Sequence, residues 1–359
     1  MSSSIARSSH RTVAGTTATG PDMHPPRNSG ALHALFARTL CDAERVVFLI
    51  SDNALDEDSS RPAFYCVHSL SGASGTDFRE LARLMPAVRF HGIQAPPKKM
   101  QDVEFGGSVE SIADYYATAL MKFQPTGPLL LGGWSAGAII ALQVAQSLRA
   151  REREVGLLAA IDAAPDNTSA GLGPWHPLYL LALAGNLPGW IIHENLIRKG
   201  MLRSLTRRAL NKAMAFHEGK MARQTSGKRV NSHAVEGFMD LSRYPPAQRS
   251  FMKRLYDALL DYKPTEYTGS VVIYEATIKP LLRVPQVGKI WRKLAPQSAV
   301  VSVKGTHLSI LREGYVNALA EDLRKRIARW SPENSVNNPR HNSENSINAM
   351  HSVMSAIGA

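Results

Sequence analysis

The segment Gly133-Trp134-Ser135-Ala136-Gly137 is the part of the sequence whose residue types and spacing best fit covalent chemistry. It follows an apolar run and opens an alanine-rich one, which is the strand-turn-helix setting of a nucleophile elbow. A serine on such a sharp turn has strained backbone, so the residues two before and two after it must be very small. We therefore predict that Ser135 is a nucleophile for acyl transfer and that Gly133, Trp134 and Gly137 form its elbow.

A serine hydroxyl needs a histidine base, and the chain order expected for this arrangement is serine, then acid, then histidine. Among the twelve histidines, only His307 lies late in the chain, between an apolar run and the last amphipathic segment. The others fall in the tails, in an inserted helical region, or before the serine, as His33, His68 and His91 do. We predict that His307 is the general base.

Two acidic residues could orient the histidine. Asp162 ends the apolar run after the nucleophile segment, where active sites gather at the carboxyl ends of parallel strands. Glu275 lies near the end of the next predicted strand and could take the same role. The residues favour Asp162, which could otherwise be a turn cap, and Glu275 stays open as the alternative.

Short runs rich in Val, Ile and Leu alternate with amphipathic stretches, which predicts βαβ units. Strands are predicted at 45–51, 63–68, 87–93, 128–134, 155–163, 270–276 and 299–305. Helices are predicted at 76–85, 108–123, 136–152, 291–295 and 314–330. The alternation lapses over about 166–264, where the patterns are helical. The expected fold is α/β, with a mostly parallel sheet, helices on both faces and a long helical lid insertion.

Composition sets the broad class of the chain. It has 359 residues, 44% of them hydrophobic, and 42 basic against 30 acidic residues give a net charge of +12. Residues 33–330 should fold around a core, with a disordered leader at 1–32 and a disordered tail at 331–359. Neither Cys41 nor Cys66 lies in a metal-binding pattern, and no secretory signal or membrane span is recognisable, so we expect a cytoplasmic protein without metal or cofactor.

Five segments in order carry a family resemblance: residues 64–72 (FYCVHSLSG), 91–96 (HGIQAP), LLLGGWSAG, AAIDA and VKGTHLSIL. Together they resemble the thioesterase domains of nonribosomal peptide and polyketide synthesis, members of the α/β-hydrolase superfamily. The resemblance extends over about 61–329. It implies that Asp162 rather than Glu275 is the acid, and that the backbone N–H groups of Leu70 and Ala136 form the oxyanion hole.

The inserted region is strongly basic. Between 198 and 229 the chain has ten Lys or Arg residues against one acid, Glu218: Arg198, Lys199, Arg203, Arg207, Arg208, Lys212, Lys220, Arg223, Lys228 and Arg229. The resemblance implies a docking face for an acyl carrier or peptidyl carrier protein with a phosphopantetheine thioester, although a solvated helix face would look the same. No zinc-finger or RNA-binding signature favours nucleic acid. The apolar stretch 178–192, with Trp175 and Trp190, could line an acyl pocket or be ordinary core.

The leading hypothesis is a free-standing serine thioesterase that hydrolyses or releases acyl or peptidyl groups in secondary-metabolite biosynthesis. We expect it to be separate from any megasynthase, because no carrier-protein motif is recognisable in the chain. A carboxylester hydrolase or an acyltransferase would use the same catalytic residues. A non-catalytic binding protein that kept the fold is the alternative from a different class.

Overall fold

The computed structural model describes residues 46–50, 61–102, 105–165, 241, 244–279 and 287–330. These residues contain a seven-stranded sheet in the order β1-β3-β2-β4-β5-β6-β7. In chain order the strands are β1 (Val47–Leu49), β2 (Ala63–Val67), β3 (Arg89–Ile93), β4 (Leu129–Trp134), β5 (Val155–Ile161), β6 (Val271–Ile278) and β7 (Ala299–Thr306). All neighbouring strands are parallel except β1, which pairs antiparallel with β3. The mostly parallel sheet predicted from the sequence is confirmed.

Seven α-helices lie in the described part of the chain. They are α1 (Arg79–Leu84), α2 (Pro97–Gln101), α3 (Val109–Phe123), α4 (Ala136–Arg149), α5 (Pro246–Asp261), α6 (Val287–Leu294) and α7 (Asn317–Ile327). The short helix α2 was not predicted, because its five residues are too few to show a helical period. It begins at Pro97, whose fixed φ suits a first helical position.

Successive residues of β2 point into two different hydrophobic clusters, as the two-residue period of a strand requires. Tyr65 and Val67 join a cluster to which α3, α4 and α5 contribute, whereas Phe64 and Cys66 join a second cluster with α1 and α7. Both faces of the sheet are therefore buried under helices. This is the α/β-hydrolase fold expected from the sequence.

The parallel strands bring distant parts of the sequence to one edge of the sheet. The carboxyl ends of β2, β4, β5 and β7 lead into the loops that contain Leu70, Ser135, Asp162 and His307. In sheets of this kind the loops after the strands build the functional site. The fold alone thus gathers residues that are up to 237 positions apart.

Part of the predicted organisation lies outside the described residues. This holds for the leader at 1–32, the tail at 331–359 and most of the predicted insertion, including the basic stretch and the apolar stretch with its two tryptophans. Near the end of the insertion, α5 forms where a helical pattern was predicted, and Phe251 and Leu255 are fully buried in the core. None of the helices in the described ranges is long and apolar enough to cross a membrane.

Candidate active site

Ser135 lies on the turn between β4 and α4 in a backbone conformation that L-residues rarely adopt. Its φ is 57° and its ψ is −127°. The Ser135 N–H donates to the Ile161 carbonyl oxygen at 3.0 Å, and the Ser135 carbonyl oxygen accepts from Ala138 N–H at 3.0 Å. Strain of this kind persists only where the surroundings hold it, and it marks functional turns.

The two glycines of the predicted elbow have no room for a side chain. A Cβ on Gly133 would lie 2.1 Å from the Gly137 carbonyl oxygen, and one on Gly137 would lie 2.5 Å from the carbonyl oxygens of Val67 and His68. The amino end of α4 therefore presses against β4 on one side and against the loop after β2 on the other. This packing leaves room for glycine alone at positions 133 and 137.

The side chains of Ser135, His307 and Asp162 form one hydrogen-bonded chain. His307 Nε2 lies 3.0 Å from Ser135 Oγ, and His307 Nδ1 lies 2.8 Å from Asp162 Oδ2. Because a carboxylate only accepts, Nδ1 carries the proton and Nε2 accepts from the serine hydroxyl. The three residues are thus arranged so that the serine proton can move to the imidazole.

Asp162 is fixed from several sides. Its side chain is 1% exposed, its φ is 47°, and its N–H donates to the Tyr274 carbonyl oxygen at 2.8 Å. The second carboxylate oxygen, Oδ1, accepts from the Ala276 N–H at 3.0 Å. The alternative acid, Glu275, pairs instead with Lys279 at 2.6 Å. Of the two carboxylates, Asp162 is therefore the one in contact with His307.

Trp134, the residue before Ser135, contacts His307. The Trp134 Nε1–H donates to the His307 carbonyl oxygen at 3.1 Å, and the two rings lie with centroids 5.2 Å apart. On the other side of His307, the Thr306 N–H donates to Ser309 Oγ at 2.8 Å. The sequence placed Trp134 in the elbow but gave no sign that it touches the histidine, since 173 positions separate them.

The residues predicted for the oxyanion hole lie on neighbouring elements. Ala136 is the first residue of α4, where backbone N–H groups have no partner within the helix and the helix dipole favours negative charge. Leu70 belongs to the loop after β2, which the close approach of Gly137 brings against the amino end of α4. A tight turn shapes this loop, because the Gly72 N–H donates to the Ser69 carbonyl oxygen at 3.1 Å.

The loop after β2 also contains a buried histidine that the sequence reasoning had set aside. His68 is fully buried, with Nδ1 at 2.6 Å from the Ser69 carbonyl oxygen and Nε2 at 2.6 Å from the Tyr116 hydroxyl. Burial lowers the pKa of His68 from 6.5 to about 4, although the contact with Ser69 opposes the shift. His68 is therefore neutral at ordinary pH. Its position two residues before Leu70 was the available signal.

Two further side chains hold the same loop. Gln248, on α5 and 2% exposed, donates from Nε2 to the Ser71 carbonyl oxygen at 2.6 Å. Asp77 Oδ2 accepts from the Ser69 N–H at 3.4 Å, and desolvation raises the pKa of Asp77 to about 6 against the opposing contacts of Ser69 and the charge of Arg312. No sequence pattern pointed to either residue, because each acts through a contact that only the fold creates.

Three further observations concern an exposed apolar side chain, possible metal ligands and a buried cysteine. Leu308, next to His307, is 66% exposed, which is unusual for a large apolar side chain. The described part of the chain has no group of three or more His, Cys, Asp or Glu side chains that could hold a metal ion. Cys66 of β2 is fully buried, and burial raises the pKa of its thiol.

Part of the chain matches a known family. Residues 62–177 match the family described as "Thioesterase domain". The resemblance to thioesterase domains is confirmed. The matched range includes Leu70, Ser135 and Asp162 and ends before His307.

Several similar proteins are large synthases. Malpibaldin synthetase of Mortierella alpina is 31% identical over 146 residues, which cover 38% of this chain and 3% of that protein. A dimodular nonribosomal peptide synthase of Bacillus subtilis (strain 168) is 25% identical over 254 residues, covering 66% of this chain and 9% of that protein. Among solved structures, the NocB thioesterase domain from the nocardicin cluster is 21% identical with a TM-score of 0.49, covering 79% of this chain and 99% of that one. The chain thus spans only a small part of the length of the synthases that it resembles.

Proposed function

We propose that this protein is a serine thioesterase in which Ser135 is the nucleophile, His307 the general base and Asp162 the residue that orients the base. The single observation that carries the proposal is the hydrogen-bonded chain from Asp162 through His307 to Ser135. A serine at a strained turn is activated only when a base lies within hydrogen-bond distance and is itself oriented by a third group.

The proposed reaction has two steps. In the first, His307 Nε2 takes the proton of Ser135 Oγ as the oxygen attacks the thioester carbonyl carbon, and the N–H groups of Leu70 and Ala136 stabilise the oxyanion. Collapse of the tetrahedral intermediate breaks the carbon–sulfur bond, and the imidazolium gives its proton to the leaving thiolate. In the second, His307 activates a water molecule or a substrate nucleophile that releases the acyl group from Ser135.

The proposed substrates are acyl or peptidyl groups held as phosphopantetheine thioesters on a carrier protein, in secondary-metabolite biosynthesis. The match to the thioesterase domain and the similarity to a nonribosomal peptide synthase support this class. The exposed apolar Leu308 beside His307 is suited to contact with an acyl chain. We further propose that the protein acts in the cytoplasm and that residues 198–229 dock the carrier protein, a docking that salt should weaken.

Intact-mass spectrometry tests this proposal. The protein would be incubated with acyl pantetheine thioesters of varied chain length, and with the matching oxygen esters, beside the Ser135→Ala variant. We expect an acyl adduct on the wild-type protein and release of free acid from thioesters, with both lost in Ser135→Ala. Thioester turnover that survives Ser135→Ala would refute the nucleophile. Turnover of only the oxygen esters would favour a carboxylester hydrolase.

A fluorophosphonate probe separates the catalytic proposal from a binding role. Such a probe modifies a serine only when a base activates its hydroxyl. We expect stoichiometric labelling that disappears in Ser135→Ala. A folded wild-type protein that resists the probe would contradict an assembled site and would favour a non-catalytic protein.

A further inference from the structure

The peptide between Ser69 and Leu70 is held by a side chain that the proposed reaction does not use. His68 Nδ1 lies 2.6 Å from the Ser69 carbonyl oxygen. Because a carbonyl oxygen only accepts, Nδ1 must carry a proton. A neutral imidazole has a single N–H, so Nε2 is left as an acceptor. The Tyr116 hydroxyl, 2.6 Å from Nε2, supplies the proton for that second bond.

Anchoring the Ser69 carbonyl also sets the direction of the Leu70 N–H. The two groups belong to the same peptide unit, which is planar, and in the trans form they point in opposite directions. The Ser69 oxygen accepts from His68 Nδ1 on one side and from the Gly72 N–H at 3.1 Å on the other. With the oxygen held by two donors, this peptide cannot rotate without breaking both bonds.

The same bonds strengthen the Leu70 N–H as a donor. An oxygen that accepts two hydrogen bonds draws electron density through its peptide unit, and in a buried site this polarisation is felt at the N–H of the same unit. Among the described residues, the aromatic rings in contact with the His68 imidazole are those of Tyr116 from α3 and Phe251 from α5. The Asp77 carboxylate accepts from the Ser69 N–H, on the other side of the same residue.

We propose that His68, held in the Nδ1–H tautomer by the Ser69 carbonyl oxygen and supported at Nε2 by the Tyr116 hydroxyl, is a positioning residue that aims the Leu70 N–H at the oxyanion. This inference rests on the proposed function, since it assigns a role within the oxyanion hole of the same reaction. A histidine that only filled the core would need its ring volume against Tyr116 and Phe251 but not its N–H. The two roles therefore differ in what the Nδ1 proton does.

A matched pair of substitutions separates these roles. Asn and Leu have similar size and shape, but the Asn Nδ2–H can replace the imidazole Nδ1–H in the bond to Ser69. We expect His68→Leu to lower kcat by about tenfold to 100-fold and to leave KM within about twofold. A misdirected N–H stabilises the oxyanion less well, and the loss of rate should be smaller than the loss from removing the donor altogether. We expect His68→Asn to keep kcat within about fivefold of the wild type.

These rates would be measured with the acyl pantetheine thioester that the wild-type protein hydrolyses fastest, after circular dichroism has shown that both variants fold. A folded His68→Leu variant with wild-type kcat would overturn the inference. Equal losses in His68→Leu and His68→Asn would overturn it as well, because the N–H would then be irrelevant. Ser135→Ala in the same assay reports on the proposed function separately.

The tautomer can be tested without any substrate. In protein labelled with ¹⁵N-histidine, the two ring nitrogens of His68 give distinct NMR signals, which His68→Asn assigns by their disappearance. We expect the Nδ1–H tautomer in the wild type and also in Tyr116→Phe, because the Ser69 carbonyl oxygen only accepts. A wild-type signal for Nε2–H would refute the inference. The result is decisive even if no thioester reacts, in which case only the proposed function fails.

Discussion

The proposed triad of Ser135, His307 and Asp162 and the loop after β2 are held in place by different means. In the triad, the local backbone conformation positions the side chains. Ser135 and Asp162 both have positive φ, and Gly305, with φ 121°, lies two residues before His307. The loop is held by side chains from distant parts of the sequence. For example, Gln248 binds the Ser71 carbonyl oxygen although 177 positions separate the two residues. A site can thus combine parts that the chain shapes locally with parts that exist only after the domain has packed.

The strongest way to break the triad is at its acid. Asp162→Asn keeps the size of the side chain but allows the amide to present an N–H to His307, which favours the wrong tautomer. We expect kcat for thioester hydrolysis to fall by about 10³ to 10⁴ with little change in folding. Steady-state kinetics would measure it. The matched control is Glu275→Gln, for which kcat should stay within about twofold, and a larger loss there than at Asp162 would contradict the assignment.

Local shaping of the nucleophile turn is tested by adding a single carbon atom. In Gly133→Ala the new Cβ would meet backbone at 2.1 Å, and backbone cannot move aside as a flexible side chain can. We expect a loss of about 3 kcal/mol or more in the free energy of unfolding, measured by chemical denaturation. The control is Gly314→Ala, where φ is 82° but no heavy atom lies within 4 Å of the Cβ.

That control should cost only about 1 kcal/mol, from left-handed backbone alone. The difference between the two variants isolates the clash from the strain. Equal stability losses would mean that the close approach of α4 to β4 is not what requires glycine at position 133.

Burial of His68 in the loop after β2 should make the free energy of unfolding depend on pH. The pKa of His68 is lowered to about 4 from 6.5, so between these values the unfolded chain binds a proton that the folded protein refuses. The free energy of unfolding should therefore be complete above pH 6.5 and fall by about 3 kcal/mol as pH drops through 6.5 to 4.

Denaturation curves at several pH values, for wild type and His68→Asn, would isolate this contribution. Asp77 acts with the opposite sign, because its pKa is raised to about 6 and its protonated form is favoured in the folded protein. It is present in both proteins and cancels in the difference. Parallel curves for the two proteins would show that His68 is not held neutral by burial.

A smaller effect on kcat is expected from removing the hydrogen bond between Trp134 and His307. Trp134→Phe keeps an aromatic ring beside His307 but removes the N–H that donates to its carbonyl oxygen. We expect kcat to fall by about threefold to tenfold, in line with one neutral hydrogen bond. Trp330→Phe is the control, because Trp330 packs on Gly156 at the amino end of β5, the opposite edge of the sheet. A similar loss of kcat in both variants would argue against a positioning role for Trp134.

The sequence predicted what depends on local patterns. The apolar runs located all seven strands, and the glycine spacing pointed to the turn at Ser135. It was the order of serine, acid and histidine along the chain that identified His307, which the parallel sheet brings to the same edge as Ser135. The sequence favoured Asp162 but left Glu275 open, because each lies near a strand end, and in the fold it is Asp162 that contacts His307.

The contacts that support the loop were beyond sequence reasoning for a physical reason. His68 was set aside because it precedes the serine, an argument valid for the base but silent about other roles. Tyr116 and Gln248 lie in helical patterns where a single polar side chain is usually solvated. Their importance comes from burial against a carbonyl or an imidazole that lies far away in the sequence.

The position of α5 bears on how hybrid proteins should be made from this chain. Its side chains reach three carbonyl oxygens, with Gln248 bound to that of Ser71 and Arg254 to those of Met100 and Asp102. Any exchange of the preceding segment with that of another protein should therefore be joined before residue 244. A junction inside α5 would transplant a foreign support under the loop of the recipient.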